Sequence, residues 1–134
     1  MDETNKQILK ALRANSRMPF LKIAEKLSVS EGTIRKRVDN LLKSGQIRKF
    51  TIEENLETSA IVHIMTSTSM GTEKISSELM RIKGVIKIFE VTGKYSVYCL
   101  IKGTSMYEIN DILEQIRLLK GVVQTETHTV LREY

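Results

Sequence analysis

The hydrophobic period of this chain changes partway along it, and that change limits the fold more than any other feature. Up to about residue 45 the apolar residues recur at helical spacing; further on they alternate, as strands do. Ile8, Leu9, Ala11 and Leu12 form one stripe, with Asp2 or Thr4 as N-cap, and the pattern ends near Ala14-Asn15-Ser16. Pro19, the only proline, suits the first turn of a second helix, where no N–H is needed. That helix carries Leu21, Ile23, Ala24 and Leu27. Ser28-Val29-Ser30 reads as a tight turn, with Ser30 as N-cap of a third helix. Ile34, Val38, Leu41 and Leu42 share one face of it, and Gly45 is its C-cap glycine.

Past that point Ile47, Lys49 and Thr51 alternate with Arg48, Phe50 and Ile52, which predicts a short strand. Residues 53–59 are polar and acidic and read as a hinge. Residues 60–134 read as β-α-β-β-α-β, with strands at 60–67, 85–92, 95–102 and 122–132. Gly93-Lys94 is the expected two-residue hairpin loop between the middle strands. One helix spans about 72–82, and the other opens with the capping box Ser105-Met106-Tyr107-Glu108. Lys83-Gly84-Val85 and Lys120-Gly121-Val122 each close a helix and open a strand, 37 residues apart. The expected fold class is therefore α+β: an N-terminal helix-turn-helix (1–52), a hinge (53–59) and a ferredoxin-like βαββαβ domain (60–134).

Charge divides along the same line. Residues 1–52 hold twelve basic and five acidic residues, a local charge of +7; the remainder holds nine basic and eleven acidic, −2. A basic helical unit on a slightly acidic remainder is the footprint of nucleic-acid binding. In a helix-turn-helix the second helix crosses the DNA backbone and the third enters the major groove of the duplex. Glu31, Thr33, Arg35 and Lys36, near the start of the third helix, are the candidates to reach base edges. Glu31 matches cytosine N4 and Arg35 matches guanine. Ser30 caps the helix, and Gly32 leaves room for close approach. Arg17, Arg37, Arg48 and Lys49 are candidate phosphate contacts, which position without specifying.

The strands carry apolar residues on both faces. Val62 and Ile64 oppose Ile61 and Met65; Val85, Phe89 and Val91 oppose Ile86 and Ile88; Tyr95, Val97, Cys99 and Ile101 oppose Tyr98 and Leu100. Two helices cover one face, so the other needs cover too. A second copy of the same sheet supplies it most simply, which predicts a two-fold homodimer.

Catalysis finds little support. His63 and His128 have no metal-ligand spacing around them, Cys99 sits mid-strand among apolar residues, and Gly71 and Gly103 are isolated rather than part of a phosphate loop. No cofactor and no enzymatic activity are expected. No apolar run approaches the roughly 18 residues a membrane span needs, the first residues do not read as a signal peptide, and a single cysteine excludes an intrachain disulfide. A cytoplasmic protein without membrane contact is expected.

Several of these residues stand in a familiar order. Ile23-Ala24, Leu27, Ser28-Val29-Ser30, Thr33-Ile34, Arg37-Val38, Leu41 and Gly45-Gln46-Ile47 are followed by Val91-Thr92-Gly93-Lys94-Tyr95 and Gly121-Val122-Val123-Gln124-Thr125-Glu126-Thr127. Over essentially its whole length the chain resembles the Lrp/AsnC, or feast/famine, transcription regulators. The resemblance implies dimers through the βαββαβ domain, often tetramers or octamers, and binding to promoters of metabolic genes. It also implies an amino-acid effector held between dimers. Carried over to this sequence, the effector residues are Thr92, Gly93, Lys94, Tyr95, Thr125 and Thr127, with Ser96 where the family commonly has Asp. A serine offers a neutral hydrogen bond in place of a charge-assisted one, so an effector's amino group would need another acid, Glu126 or Glu90. An architectural protein that compacts DNA with little specificity would use the same basic patch and the same oligomer.

Overall fold

The computed structural model describes residues 2–55 and 58–134. The chain forms two compact units, Met1–Glu53 and Glu54–Tyr134.

The first unit is three helices, α1 (Glu3–Ala14), α2 (Phe20–Leu27) and α3 (Glu31–Lys43). Asp2 caps α1, its side chain accepting the Asn5 N–H at 2.8 Å. Pro19 stands just ahead of α2 rather than inside it, and its carbonyl accepts the Lys22 N–H at 2.9 Å. Ser28 takes the left-handed conformation (φ 54°) and turns the chain between α2 and α3. Ile8, Leu12, Ile23, Ala24, Ile34, Val38 and Leu41 pack together as this unit's core. Leu42, expected on that face, is 37% exposed at its margin.

The strand expected at 47–52 does not form. Its alternation is real, but an all-helical unit offers no strand for its N–H and C=O groups to pair with. The segment instead runs beside α1 without regular secondary structure, Gln46–Thr51 facing Leu9, Leu12, Arg13 and Ser16 across a shallow groove.

The second unit holds β1 (Thr58–Thr66), α4 (Thr72–Leu79), β2 (Val85–Glu90), β3 (Val97–Gly103), α5 (Met106–Arg117) and β4 (Val122–Thr129). The sheet is antiparallel in the order β2-β3-β1-β4. This is the ferredoxin-like arrangement, α4 and α5 lying on one face. Ala60, Val62, Ile64, Val97, Cys99 and Ile101 point toward Ile75, Leu79, Ile109, Ile112, Leu113 and Ile116 to form the core. No helix among the described residues is long and apolar enough to cross a membrane.

Five sequence expectations shift here. Strand β1 begins at Thr58, paired with Gly103, inside the segment read as a hinge; residues 56 and 57 of that segment lie outside the described residues. Strand β4 ends at Thr129, and helix α4 ends at Leu79. The middle hairpin is wider than two residues: the Val91 N–H donates to the Ser96 carbonyl at 2.9 Å, so Thr92–Tyr95 form the loop. Finally, a bulge between Val85 and Lys87 changes which residues share a face of β2. Val85 and Ile88 point to the core, whereas Lys87 and Phe89 point away, because one extra residue reverses the alternation.

The Lys-Gly-Val echo has a physical basis. Gly84 (φ 97°) and Gly121 (φ 94°) both adopt backbone that side chains rarely take. A Cβ at Gly84 would stand 3.0 Å from the Lys102 carbonyl, and one at Gly121 would stand 2.7 Å from Met70 Sδ. Each glycine lets the chain leave a helix and enter a strand against packed neighbours.

Candidate DNA interface and effector region

Helix α3 buries Ile34, Val38 and Leu41, and at 100° per residue this places Lys36 opposite the buried stripe, with Gly32 one turn before it. Both are exposed. Ser30 is the N-cap: its Oγ accepts the Thr33 N–H at 3.1 Å and lies 2.8 Å from Thr33 Oγ1. The two hydroxyls thus partner each other at the start of the helix.

The flanks of α3 differ. On the side toward α2, Arg35 Nη2 donates to Glu31 Oε1 at 2.8 Å, and its guanidinium lies 5.5 Å from the centre of the Phe20 ring. On the side toward α1, Thr33, Lys36, Arg37 and Asn40 line a polar groove closed by Asp2 and Asn5. Arg37 is not a free surface cation. Its Nη1 donates to Asp2 Oδ2 and, at 3.0 Å, to Asn5 Oδ1. That bond and the Asn5 N–H hold the Asp2 carboxyl below its ordinary range. Arg17 is exposed, as are Arg48 and Lys49, which border the groove along α1 together with Arg13. Sequence reasoning missed Arg13, Asn5 and Asn40. Asn40 was within reach of a helical projection, being one turn after Lys36; Asn5 and Arg13 join the surface only through the packing of α1.

In the second unit, Thr92, Gly93 and Lys94 are exposed in the β2–β3 loop, and the Lys94 ammonium lies 5.8 Å from the centre of the Tyr95 ring. Ser96 Oγ is 2.7 Å from Thr66 Oγ1, so it is already partnered within the chain. Tyr95 sits against Glu126. Desolvation, then that carboxylate, raises the Tyr95 hydroxyl's pKa, while bonds from His128 and then Tyr95 lower that of Glu126. Thr125 and Thr127 lie elsewhere. They are register partners of Ile64 and Val62 and so face the helices. Arg117 Nε on α5 donates to Thr125 Oγ1 at 3.4 Å, and Thr127 Oγ1 is buried without a hydrogen-bond partner among the described residues. Within one chain Thr125 and Thr127 therefore stand on the helix-covered face of the sheet, apart from the exposed loop residues Thr92, Gly93 and Lys94. The two acids suggested as substitutes are engaged as well. Glu126 meets His128 Nε2 at 2.9 Å, and Glu90 accepts the hydroxyls of Ser76 (2.8 Å) and Thr72 (2.9 Å).

The face of the sheet away from α4 and α5 presents Ile61, His63 and Met65 from β1, Tyr98 and Leu100 from β3, and Phe89 from β2. His63 stacks on Tyr98 with ring centroids 4.0 Å apart, and His128 lies 4.9 Å to its side. Ile61 and Phe89 are 40% and 51% exposed, large values for mid-strand apolar residues. Cys99 belongs to the opposite, buried face, where desolvation pushes its thiol up to about 12. It is an inert core residue.

Comparison with known proteins agrees over both units. Residues 1–42 match the AsnC-type helix-turn-helix domain, and residues 59–134 match the Lrp/AsnC ligand binding domain. The HTH-type transcriptional regulator LysM of Sulfurisphaera tokodaii is 40% identical over 98% of this chain and 96% of its own length. The solved structure of E. coli AsnC shares the fold, with a TM-score of 0.78, 23% identity and coverage of 99% of this chain and 93% of that one. So does a feast or famine regulatory protein from M. tuberculosis complexed with L-methionine, with a TM-score of 0.85, 22% identity and coverage of 99% and 93%. Two matched domains in the family's order, together spanning nearly all of the sequence, place this chain in the Lrp/AsnC family of transcription regulators.

Proposed function

We propose that this regulator binds specific double-stranded sites at metabolic, amino-acid-related genes as a homodimer or larger homo-oligomer and responds to a small amino acid. The observation that carries the DNA half is α3 itself. Within residues 1–52, whose net charge is +7, a serine-capped helix presents Gly32 and Lys36 outward with Glu31, Thr33 and Arg35 at its flanks. These residues read base edges, while Arg17, Arg48 and Lys49 hold phosphates. Residues 1–52 thus do the binding and residues 60–134 the assembly and sensing, without an enzymatic role, in the cytoplasm. Competition at fixed salt between a duplex selected from a random pool and a scrambled one tests this. A ratio on the order of 10³ or more is expected; a ratio near one would identify an architectural, low-specificity DNA-compacting protein instead.

The uncovered, partly apolar sheet face supports the homodimer, since contiguous exposed apolar surface marks an interface. The effector half rests on family membership and on the methionine complex of a related fold. Because Thr125 and Thr127 lie on the helix-covered face while Tyr95 sits against Glu126 on the other, an effector site combining them draws on more than one copy. A thermal-shift screen over the common amino acids tests it, since a ligand bound only by the folded state raises the melting temperature. A regulator that no amino acid stabilises is independent of such an effector.

A further inference from the structure

We infer that Arg37 is a positioning residue of the DNA interface: with Asp2 and Asn5 it clamps the first turn of α1 to α3 and so fixes the angle at which Lys36 and Asn40 meet DNA. The inference rests on the reading of α3 as the recognition helix and assigns a part of that interface which charge alone misassigns.

Four observations carry it. Arg37 reaches two acceptors that lie 35 and 32 residues away in sequence, Asp2 Oδ2 and Asn5 Oδ1, with the same nitrogen. Asp2 is occupied on its other side as well, where Oδ1 caps α1 by accepting the Asn5 N–H. The clamp is therefore built into the helix start rather than formed by two wandering side chains. Arg37 is also half as exposed as its neighbour on the helix, with 32% of its side chain accessible against 62% for Arg35. Beside the clamp, the same groove carries Thr33, Lys36 and Asn40.

The geometry decides between two roles for a cation at this position. A phosphate contact needs a guanidinium presented to solvent. A clamp needs the cation turned to acceptors of its own chain; here Nη1 of Arg37 meets both, and the rigid planar guanidinium holds that nitrogen in place where the freely turning ammonium of Lys would not. Side chains that read bases must be held within roughly 0.5 Å of productive geometry. Apolar packing alone leaves a short helix free to roll slightly, and a polar tie between its middle and the start of α1 removes that freedom. Asn40 then stands where an amide can meet adenine or a phosphate oxygen.

The test measures binding of the full-length chain to the selected and the scrambled duplex over a salt series, well below the melting temperature of every variant. Arg37→Lys, Arg37→Ala and Asp2→Asn should each lower the specific-to-nonspecific ratio by about tenfold and leave the slope of log K against log salt as in the unsubstituted protein. Asp2→Asn with Arg37→Ala should be no worse than either alone, since both remove one tie. The inference is overturned if Arg37→Ala flattens the slope by about one unit and weakens both duplexes alike while Arg37→Lys retains binding, the signature of a phosphate contact. It is also overturned if Asp2→Asn leaves the ratio unchanged. Lys36→Ala in the same series separates this failure from that of the underlying reading: if it changes neither affinity nor slope, α3 is not the recognition helix.

Discussion

The imidazole of His63 lies flat on the phenol of Tyr98, ring centroids 4.0 Å apart and planes 7° from parallel. The pair joins the two central strands on the face that α4 and α5 leave bare. Aromatic groups stacked at the middle of a bare sheet suit the core of an interface, where aromatic residues are enriched. Ile61, Leu100 and Phe89 extend the same surface. A charge placed there has no partner and must be desolvated on association. Leu100→Asp should therefore yield a folded monomer at micromolar concentration, with far-ultraviolet circular dichroism unchanged. Light scattering checks the mass; an unaltered oligomer would move the interface elsewhere.

The Arg35–Glu31 pair on α3 gives a second prediction. An exposed ion pair one turn apart contributes only about 0.3–0.5 kcal/mol, so DNA opens it at little cost. Arg35→Ala should cost about 1–3 kcal/mol at the preferred site and relax preference at one base position. Lys49→Ala should weaken all sequences alike and flatten the salt dependence. Equal losses on every duplex for both variants would remove Arg35 from the base-reading set.

Gly121 and Gly84 are each held at positive φ with packed neighbours. Gly121→Ala and Gly84→Ala should each destabilise the second unit by about 1–3 kcal/mol, through backbone strain and crowding together. Gly71→Ser, at the N-cap of α4, where a Cβ meets nothing within 4 Å and Ser is a favoured residue, is the control and should be neutral or slightly stabilising. Urea titration of the three variants separates these outcomes.

The start of α5 carries a pH-dependent contribution. Glu108 Oε2 accepts the Thr104 N–H at 2.7 Å and the Thr104 hydroxyl at 2.9 Å. These bonds, the backbone one first, lower its carboxyl below the ordinary value of 4.5. A carboxyl lowered on folding stabilises the native state above its unfolded value and loses that effect as pH falls through the folded one. Melting temperature should thus drop below about pH 4.5 more steeply in the unsubstituted chain than in Glu108→Gln. Parallel acid limbs would dismiss the cap as the cause. Ser105→Ala, which removes the partner cap to the Glu108 N–H, should cost about 1 kcal/mol at neutral pH.

Much of this fold could be read from residues whose constraints are local. Ser30 caps α3 and Ser105 caps α5 because a hydroxyl before a helix has nearby N–H groups to meet. Gly84 and Gly121 sit at helix exits because only the next few residues set the turn. The errors arose where partners are distant. Ile47–Ile52 alternate like a strand, yet no strand stands beside them. The apolar alternation of β2 runs straight across Val85–Lys87, whereas pairing with β3 inserts a bulge there. Arg37 looked like any surface cation, since nothing in its vicinity in sequence announces Asp2 or Asn5. Which residues of α3 point outward is legible through helical phase; that Thr125 and Thr127 lie on the helix-covered face of the sheet is not, because it depends on the pairing of β4 with β1.

Strands β2 and β4 end the sheet, and each leaves a row of backbone donors and acceptors unpaired. Left straight and apolar, such margins template the addition of further strands without limit. Here the bulge at Val85–Lys87 bends one margin, and the register of β4 slips between Met65 and Thr66. The rest of β4 is polar from Gln124 to Thr129. The margins are blunted while the broad face stays open, so growth strand by strand along the edges of the sheet, the route to a fibre, is disfavoured.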